Sequence, residues 1–245
     1  MELLDYLLST PPTKLYKYRE VNDNNLTALL NDRIYVPRAD CVNDKHELAL
    51  TSEIDNEHYN KIFNRFITLA RKGCYLLSFS SLPNSLKMWN KYSDKFSGYM
   101  LEFNSKDIVD EIRRSRGGFC WGYVKYGDRM VAISKSILDE MEKDKKGNYQ
   151  LKINAHNCGF FFEKTKKWEP EQEFRFAFGV EKSDISFINK YGAIIYKKGF
   201  FVENIIPTKI FIGFKMNEIN KKKIIDYCKF KKIPYCFVDE RFADM

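Results

Sequence analysis

Histidine is scarce in this chain, three among 245 residues, and the six cysteines (Cys41, Cys74, Cys120, Cys158, Cys228, Cys236) form no Cys-x-x-Cys pair. No histidine falls at zinc spacing from them, so a zinc module is excluded and no metal ligand set is expected. Most of the cysteines sit beside apolar residues, as Cys74 does before Tyr75-Leu76-Leu77, and read as buried, reduced thiols. No Gly-rich turn joins a strand to a helix, which removes Rossmann and P-loop readings. No apolar run approaches the length of a membrane span. Glu2 and Asp5 interrupt the first apolar stretch, unlike a signal peptide, and the expectation is a cytoplasmic protein with no membrane partner. No repeat, low-complexity tract or Pro/Gly/Ser linker divides the chain, so a single domain over 1–245 is expected.

What the chain has in quantity is aromatic and basic side chains. Phe, Tyr and Trp reach 16%, which suggests a core or groove lined with rings. The net charge is +8 and the isoelectric point about 9.0, compatible with a nucleic-acid or dinucleotide partner because a positive field gathers phosphates. The densest lysine runs (Lys221 to Lys223, then Lys229, Lys231 and Lys232) lie on an expected helix and equally fit a solvated face.

Periodicity predicts helices over 2–9, through Leu26, Leu29 and Leu30 behind the candidate caps Asn22 to Asn25, over 59–71, 86–92 and 105–115, near 128–143 and 150–163, and over 217–231. Strands are predicted over 14–18, 34–36, 74–80, 99–103, 119–126, 173–180, 194–196, 210–214 and 235–238. In the strand from Glu173, Phe174, Phe176 and Phe178 take one face while Arg175 and Ala177 take the other. Strands mixed irregularly with helices give an α+β class rather than a doubly wound sheet.

Four clusters carry polar residues that packing alone does not require. They are Leu15-Tyr16-Lys17-Tyr18-Arg19; Asn43-Asp44-Lys45-His46-Glu47; Ser78-Phe79-Ser80-Ser81 with Met88-Trp89-Asn90-Lys91-Tyr92; and Trp168-Glu169-Pro170-Glu171-Gln172-Glu173-Phe174-Arg175. Glu171 and Glu173, two apart, share a strand face if extended geometry begins by Glu171, and such a pair needs a cation or ligand to offset its repulsion. Arg175, on the same face, offers that cation; the plainer reading is a Glu173–Arg175 surface pair. Trp168 reads either as a wall of a cleft or as a core anchor ahead of Glu171.

The order of these motifs resembles a widespread bacterial family of unknown function. Its members open with Leu-Tyr-Lys-Tyr-Arg, matched by Leu15 to Arg19, and an Asn-Leu helix, matched by Asn25-Leu26. An Asn-Asp-Pro-Phe-Glu turn corresponds to Asn43 to Glu47, with Lys45-His46 in place of Pro-Phe. A strand ending Phe-Ser corresponds to Phe79-Ser80, and Met-Trp…Tyr to Met88-Trp89 and Tyr92. Gly98, Glu102-Phe103, the Trp-x-x-Glu-x-Glu-x-Arg run from Trp168 to Arg175, and Ile212-Gly213 complete the match over 14–238. The layout is similar, more distantly, to the ADP-ribosyltransferase superfamily, which implies a split mixed β-sheet core with surrounding helices and NAD as cofactor. That resemblance gives Lys17 or Arg19 the first-strand grip on NAD, Ser78 and Ser80 the second motif, and Glu171 with Glu173 the third.

In that chemistry, breaking the nicotinamide–ribose bond builds positive charge on the ribose, as in other oxocarbenium-like transition states, and a fixed carboxylate stabilises it. Glu173 is the catalytic candidate, and Glu171 would position or deprotonate the acceptor. Lys17 or Arg19, beside Tyr18, would neutralise the pyrophosphate, Arg175 would offset the carboxylates, and Trp89 or Tyr92 would stack on nicotinamide. Glu173→Gln at a cleft edge is expected to leave folding nearly intact. The resemblance further implies a toxin or antiviral effector whose acceptor is RNA, DNA, a protein or water, with an antitoxin left open as a partner. Two other classes compete. One is a magnesium-dependent nuclease using Asp44, Glu47, Glu171 and Glu173, against which the usual accompanying lysine has no evident place. The other is a non-catalytic nucleic-acid-binding or regulatory module.

Overall fold

The computed structural model describes residues 9–42, 48, 50–54, 56–128, 131–139, 142–143, 149–150, 158–188 and 194–239. The elements that frame the site are β1 (Lys14–Arg19), α1 (Asp23–Leu30), β2 (Ile34–Pro37), α2 (Glu57–Lys72), β3 (Cys74–Ser80), α3 (Leu86–Tyr92), β4 (Tyr99–Asn104), α4 (Ser105–Ser115), β5 (Phe119–Tyr123), β6 (Lys125–Gly127), α5 (Lys135–Asp139), β7 (Glu163–Thr165), β8 (Glu173–Gly179), β9 (Gly199–Val202), β10 (Lys209–Ile212), α6 (Glu218–Lys231) and β11 (Tyr235–Phe237). The fold is mixed α+β. Seven strands form one sheet in the order β11-β10-β4-β1-β3-β8-β5, antiparallel throughout except for the parallel pair β10–β11.

Helix starts follow the expected cap chemistry. The side chains of Asn22, Asn56, Ser85, Asn104 and Asn217 each accept a backbone N–H from the first turn of their helix. The alternation in β3 and β8 sets the two faces of the sheet. Tyr75, Leu77 and Phe79 join Phe174, Phe176 and Phe178 in the main core, under α1, α4 and α6. On the opposite face, Cys74, Leu76 and Ala177 pack against α2 and the aromatic turn Gly159–Phe162. A third, smaller core gathers Tyr16, Tyr18 and Met100 under Met88 and Trp89 of α3. Ser78, Ser80, Glu173 and Arg175 occupy that same face between the two smaller cores, where apolar cover is missing.

The sheet also opens at this point. β1 pairs with β4 along all six of its residues but meets β3 at one position only, Tyr16 opposite Ser80. From there the strands part, and a cleft enters between them. Gly98 helps to hold β1 in place, because a Cβ there would lie 2.1 Å from the Arg19 carbonyl oxygen. Gly213 is as tightly set, 2.0 Å from the Phe96 carbonyl oxygen by the same measure, and its N–H bonds the Gly98 carbonyl at 2.9 Å.

Several expectations are corrected. The strand expected over 119–126 breaks at Val124, whose N–H bonds the Glu173 carbonyl, and β6 leaves the sheet to pair in parallel with β7. The helix expected near 128–143 is reduced to the five residues of α5, preceded by the strand Val131–Ile133. The end of the helix expected over 150–163 is the 3₁₀ turn Gly159–Phe162 followed by a strand. A run of Phe160, Phe161 and Phe162 has no polar side to expose, so it is buried all round as a tight turn rather than laid down as an amphipathic helix. The helix expected at 2–9 lies, but for its last residue, outside the described residues. So does the whole Asn43 to Glu47 cluster, including Asp44 and Glu47.

Candidate functional site

The cleft between β1 and β3 has a volume of about 290 Å³. It is lined by Tyr16, Lys17, Tyr18 and Arg19 from β1, Ser78 and Ser80 from β3, Met88 and Tyr92 from α3, and Lys164, Glu171 and Glu173. Tyr35 and Pro37 of β2, with Cys41 and Val42 beyond it, close another side. Three of the four sequence clusters thus converge, as strand ends brought together by the register Glu173 opposite Ser80 and Arg175 opposite Ser78.

The carboxylate pair does not arise as a strand face. β8 begins at Glu173; Glu171 closes a 3₁₀ turn from Lys166, and Gln172 between them takes a left-handed conformation at φ 41°. The carboxylates meet through Lys164, whose Nζ lies 3.2 Å from Glu171 Oε2 and 2.5 Å from Glu173 Oε1. Lys164 is aligned by the parallel β6–β7 pairing opposite Tyr126, whose hydroxyl accepts the Glu173 N–H at 2.9 Å. On the other side of Glu173, Arg175 Nη2 reaches Oε2 at 2.7 Å and Nε reaches it at 3.2 Å. Arg175 also donates to the Phe161 carbonyl at 2.6 Å and to Ser78 Oγ at 3.3 Å. Glu173 is 6% exposed and Arg175 0%, so their contact is a buried ion pair and not the surface pair of the plainer reading.

Glu171 has a different setting. Lys91 Nζ lies 2.9 Å from its Oε1, and the Tyr92 hydroxyl donates to the same oxygen. Trp168 is half-buried and carries Lys91 Nζ 3.5 Å above its ring, with Lys164 Nζ at 5.5 Å. It thus packs against the lysines that hold Glu171, and among the described residues it neither lines this cleft nor belongs to a core cluster.

These environments push the two carboxyls apart. Burial alone would raise Glu173, but the Arg175 guanidinium and then the Lys164 ammonium outweigh it and hold the group well below the usual carboxylate range. Glu171 is raised, first by burial and then by its contact with Glu173. Lys17 donates to the Ser78 carbonyl that the parting of the strands leaves unpaired. Its ammonium is held well below the ordinary lysine value by burial, then by Arg19, with Glu173 offsetting only part. Arg19 is likewise lowered by burial. Neither Lys17 nor Arg19 has a carboxylate at ion-pair distance among the described residues, whereas Lys164, Lys91 and Arg175 all do.

Other expected site residues have different duties. The Trp89 ring is 1% exposed, stacked on Phe96 at 5.3 Å and met edge-on by Tyr18 at 5.5 Å, so it is a core ring and lines no part of the cleft. Tyr18 lines the cleft, but its hydroxyl donates toward the carbonyls of Leu82 and Pro83 and accepts from Ser85 N, which pins the entry to α3. Ser80 Oγ accepts from Leu82 N at 3.2 Å within the same turn. Sequence reasoning gives no role to Lys164, Lys91 or Tyr126. Lys164 sits in the run Glu163-Lys164-Thr165-Lys166-Lys167, where nothing distinguishes one lysine from the next.

Among the described residues no group of three or more His, Cys, Asp or Glu is arranged to hold a metal ion. Glu171 and Glu173 have the lysine that the nuclease reading lacked, but its ammonium sits between them, in the position a shared cation would take.

The fold and site together define a mixed α+β protein with a buried, cation-bridged carboxylate pair at a parted sheet. Residues 88–176 match a family model described as a protein of unknown function (DUF2971). That span contains most of α3, Gly98, Glu102-Phe103 and the run from Trp168 to Arg175; the β1 motif, Ser78 to Ser80 and Ile212-Gly213 lie outside it. No curated protein and no solved structure matches the chain. No helix among the described residues is long and apolar enough to cross a membrane.

Proposed function

We propose that the chain is an NAD-dependent ADP-ribosyltransferase whose reaction takes place in the cleft between β1 and β3. The observation that carries this reading is the pairing of one carboxyl held well below the usual carboxylate range with a neighbour raised above it, beside two cations that lack carboxylate partners among the described residues. Two carboxyls pushed apart in this way are the usual signature of divided acid–base and electrostatic roles. Half-buried cations without a carboxylate suit a pyrophosphate, which has enough charge to offset the water they have lost.

NAD supplies a glycosidic carbon–nitrogen bond whose cleavage releases neutral nicotinamide and leaves positive charge on the ribose. Lys17 and Arg19 would hold the pyrophosphate. Glu173, fixed on β8 by Arg175 and Lys164, would face the developing charge without having to reorganise. Glu171 would take the proton from the acceptor as its oxygen or nitrogen bonds the ribose carbon, a role for which a raised carboxyl is better suited than an ordinary one. The +8 net charge favours a nucleic-acid acceptor over a basic protein surface. The distant resemblance to ADP-ribosyltransferases adds the proposal of a cytoplasmic toxin or antiviral effector restrained by an antitoxin.

A structural ion-pair network would also bury Glu173 and Arg175, and activity separates the two readings. Nicotinamide release from NAD by the purified protein, with water or RNA as acceptor, is the expected result. Its absence with every acceptor class, in protein shown to be folded, would remove the transferase reading.

A further inference from the structure

A second cavity of about 420 Å³ lies next to the first and shares Arg19 and Tyr35 with it. It sits between α1 and the main core, and none of the four sequence clusters except β1 contributes to it. Its floor is apolar, from Leu29, Ile34, Leu101 and Phe103. At its edge the Arg33 guanidinium lies 4.1 Å from the centre of the Phe201 ring. Arg33 Nε is buried with no hydrogen-bond partner among the described residues. A buried donor atom without an acceptor costs free energy unless water or a ligand completes it. Arg19, the other guanidinium lining this cavity, also lacks a carboxylate partner among the described residues.

We infer that this cavity is a subsite for a nucleoside monophosphate unit. The apolar floor would take the base, and Arg33 with Arg19 would take the phosphate, for which the planar guanidinium fork is the best-matched side chain. The volume falls within the range of small-molecule sites. Because Arg19 lines both cavities, the phosphate would lie at their junction. The unit therefore has two possible sources, the adenosine half of a dinucleotide whose other end occupies the first cleft, or one nucleotide of a separate acceptor. Binding at this site stands without the transferase reading; only the assignment of its source rests on that reading.

The test is calorimetric titration of the full chain with each of the four ribonucleoside 5′-monophosphates. At least one should bind saturably. Arg33→Met keeps the apolar stem over Phe201 and should weaken that binding at least about tenfold, the effect of about 1.4 kcal/mol. No saturable binding by any of the four, or binding that Arg33→Met does not weaken, would overturn the inference. A parallel titration with NAD decides the source. Displacement of the monophosphate identifies it as the adenosine half, and simultaneous binding identifies a second molecule. NAD failing to bind while a monophosphate binds would count against the first cleft's assignment and leave this one intact.

Discussion

Lys164 and Glu173 are joined at 2.5 Å, with side chains 8% and 7% exposed, although they come from strands that belong to different sheets. The same ammonium holds Glu171, so one cation keeps two buried carboxylates from repelling each other. Replacing Lys164 by Met preserves much of the stem and removes the charge. Breaking a buried pair costs about 3–5 kcal/mol where the charge left behind is uncompensated, and less here, because Glu173 keeps Arg175 and Glu171 keeps Lys91. Urea denaturation should show that loss for Lys164→Met. The double variant Lys164→Met with Glu171→Gln should recover part of it, since one of the two mutually repelling charges is gone. A double variant no more stable than the single would mean that the carboxylates do not depend on this lysine.

Glu173→Gln tests the catalytic assignment, but the expectation of unchanged folding does not survive the structure. Arg175 is fully buried and directs two nitrogens at Glu173, so the neutral amide leaves it undercompensated. Stability should fall by a few kcal/mol, at or below the range of about 3–5 for a broken buried pair. The loss has a pH signature. A carboxyl whose folded value lies below its unfolded value of about 4.3 stabilises the protein above that pH, and this stabilisation disappears as pH falls through the folded value. Glu171, shifted the other way, works in the opposite sense. The wild type should therefore lose stability on acidification more steeply than Glu173→Gln. Per folded molecule, nicotinamide release should drop about 10²–10³-fold, with NAD affinity changing much less. Equal turnover in the two proteins would leave Glu173 a purely structural residue.

The features legible in the chain are those written in local periodicity. β3 from Cys74 to Ser80, α3 from Leu86 to Tyr92 and α4 from Ser105 to Ser115 fall where the pattern places them. The alternating Phe174, Phe176 and Phe178 put Glu173 and Arg175 on the polar side of β8. What was not legible depends on tertiary position. Gln172 turns left-handed, so Glu171 reaches the site from a turn rather than from a strand face. Lys164 and Tyr126 are ordinary surface residue types until the β6–β7 ribbon carries them inward, and Lys91, itself exposed, reaches Glu171 from α3. Trp89 misled in the other direction, since a ring beside polar residues reads as a ligand platform and here packs on Phe96.

Trp168→Phe separates seating the lysines from contacting a ligand. Phenylalanine offers a weaker face to Lys91 and Lys164, and a cation–π contact is worth about 0.5–2 kcal/mol between exposed and desolvated limits. Thermal melting should therefore show a modest loss, toward the lower half of that range because Lys91 is substantially exposed. NAD affinity should stay the same, as Trp168 does not line the cleft. Weakened NAD binding with unchanged melting would reverse the assignment and return Trp168 to the ligand.

Lys17 provides the sharpest test of the anion site, because its charge is sensitive to pH where that of Arg19 is not. Burial and the neighbouring Arg19 hold the Lys17 ammonium well below the ordinary lysine value of about 10.4. The cation is therefore lost at a lower pH than for a solvated lysine. An anion that relies on it binds well below that pH and progressively less well above it. Inorganic pyrophosphate is a suitable probe, having the linked phosphates of the proposed ligand segment but neither base. Titrated across the neutral to alkaline range, its affinity for the wild type should decline relative to that for Lys17→Arg as pH rises. In Lys17→Arg the guanidinium stays charged throughout, so the decline should flatten even if a changed reach lowers the affinity overall. In Lys17→Met, binding should be weak at every pH. A wild-type profile as flat as that of Lys17→Arg would mean that Lys17 does not contact the anion, leaving Arg19 as the only β1 cation in the cleft able to do so.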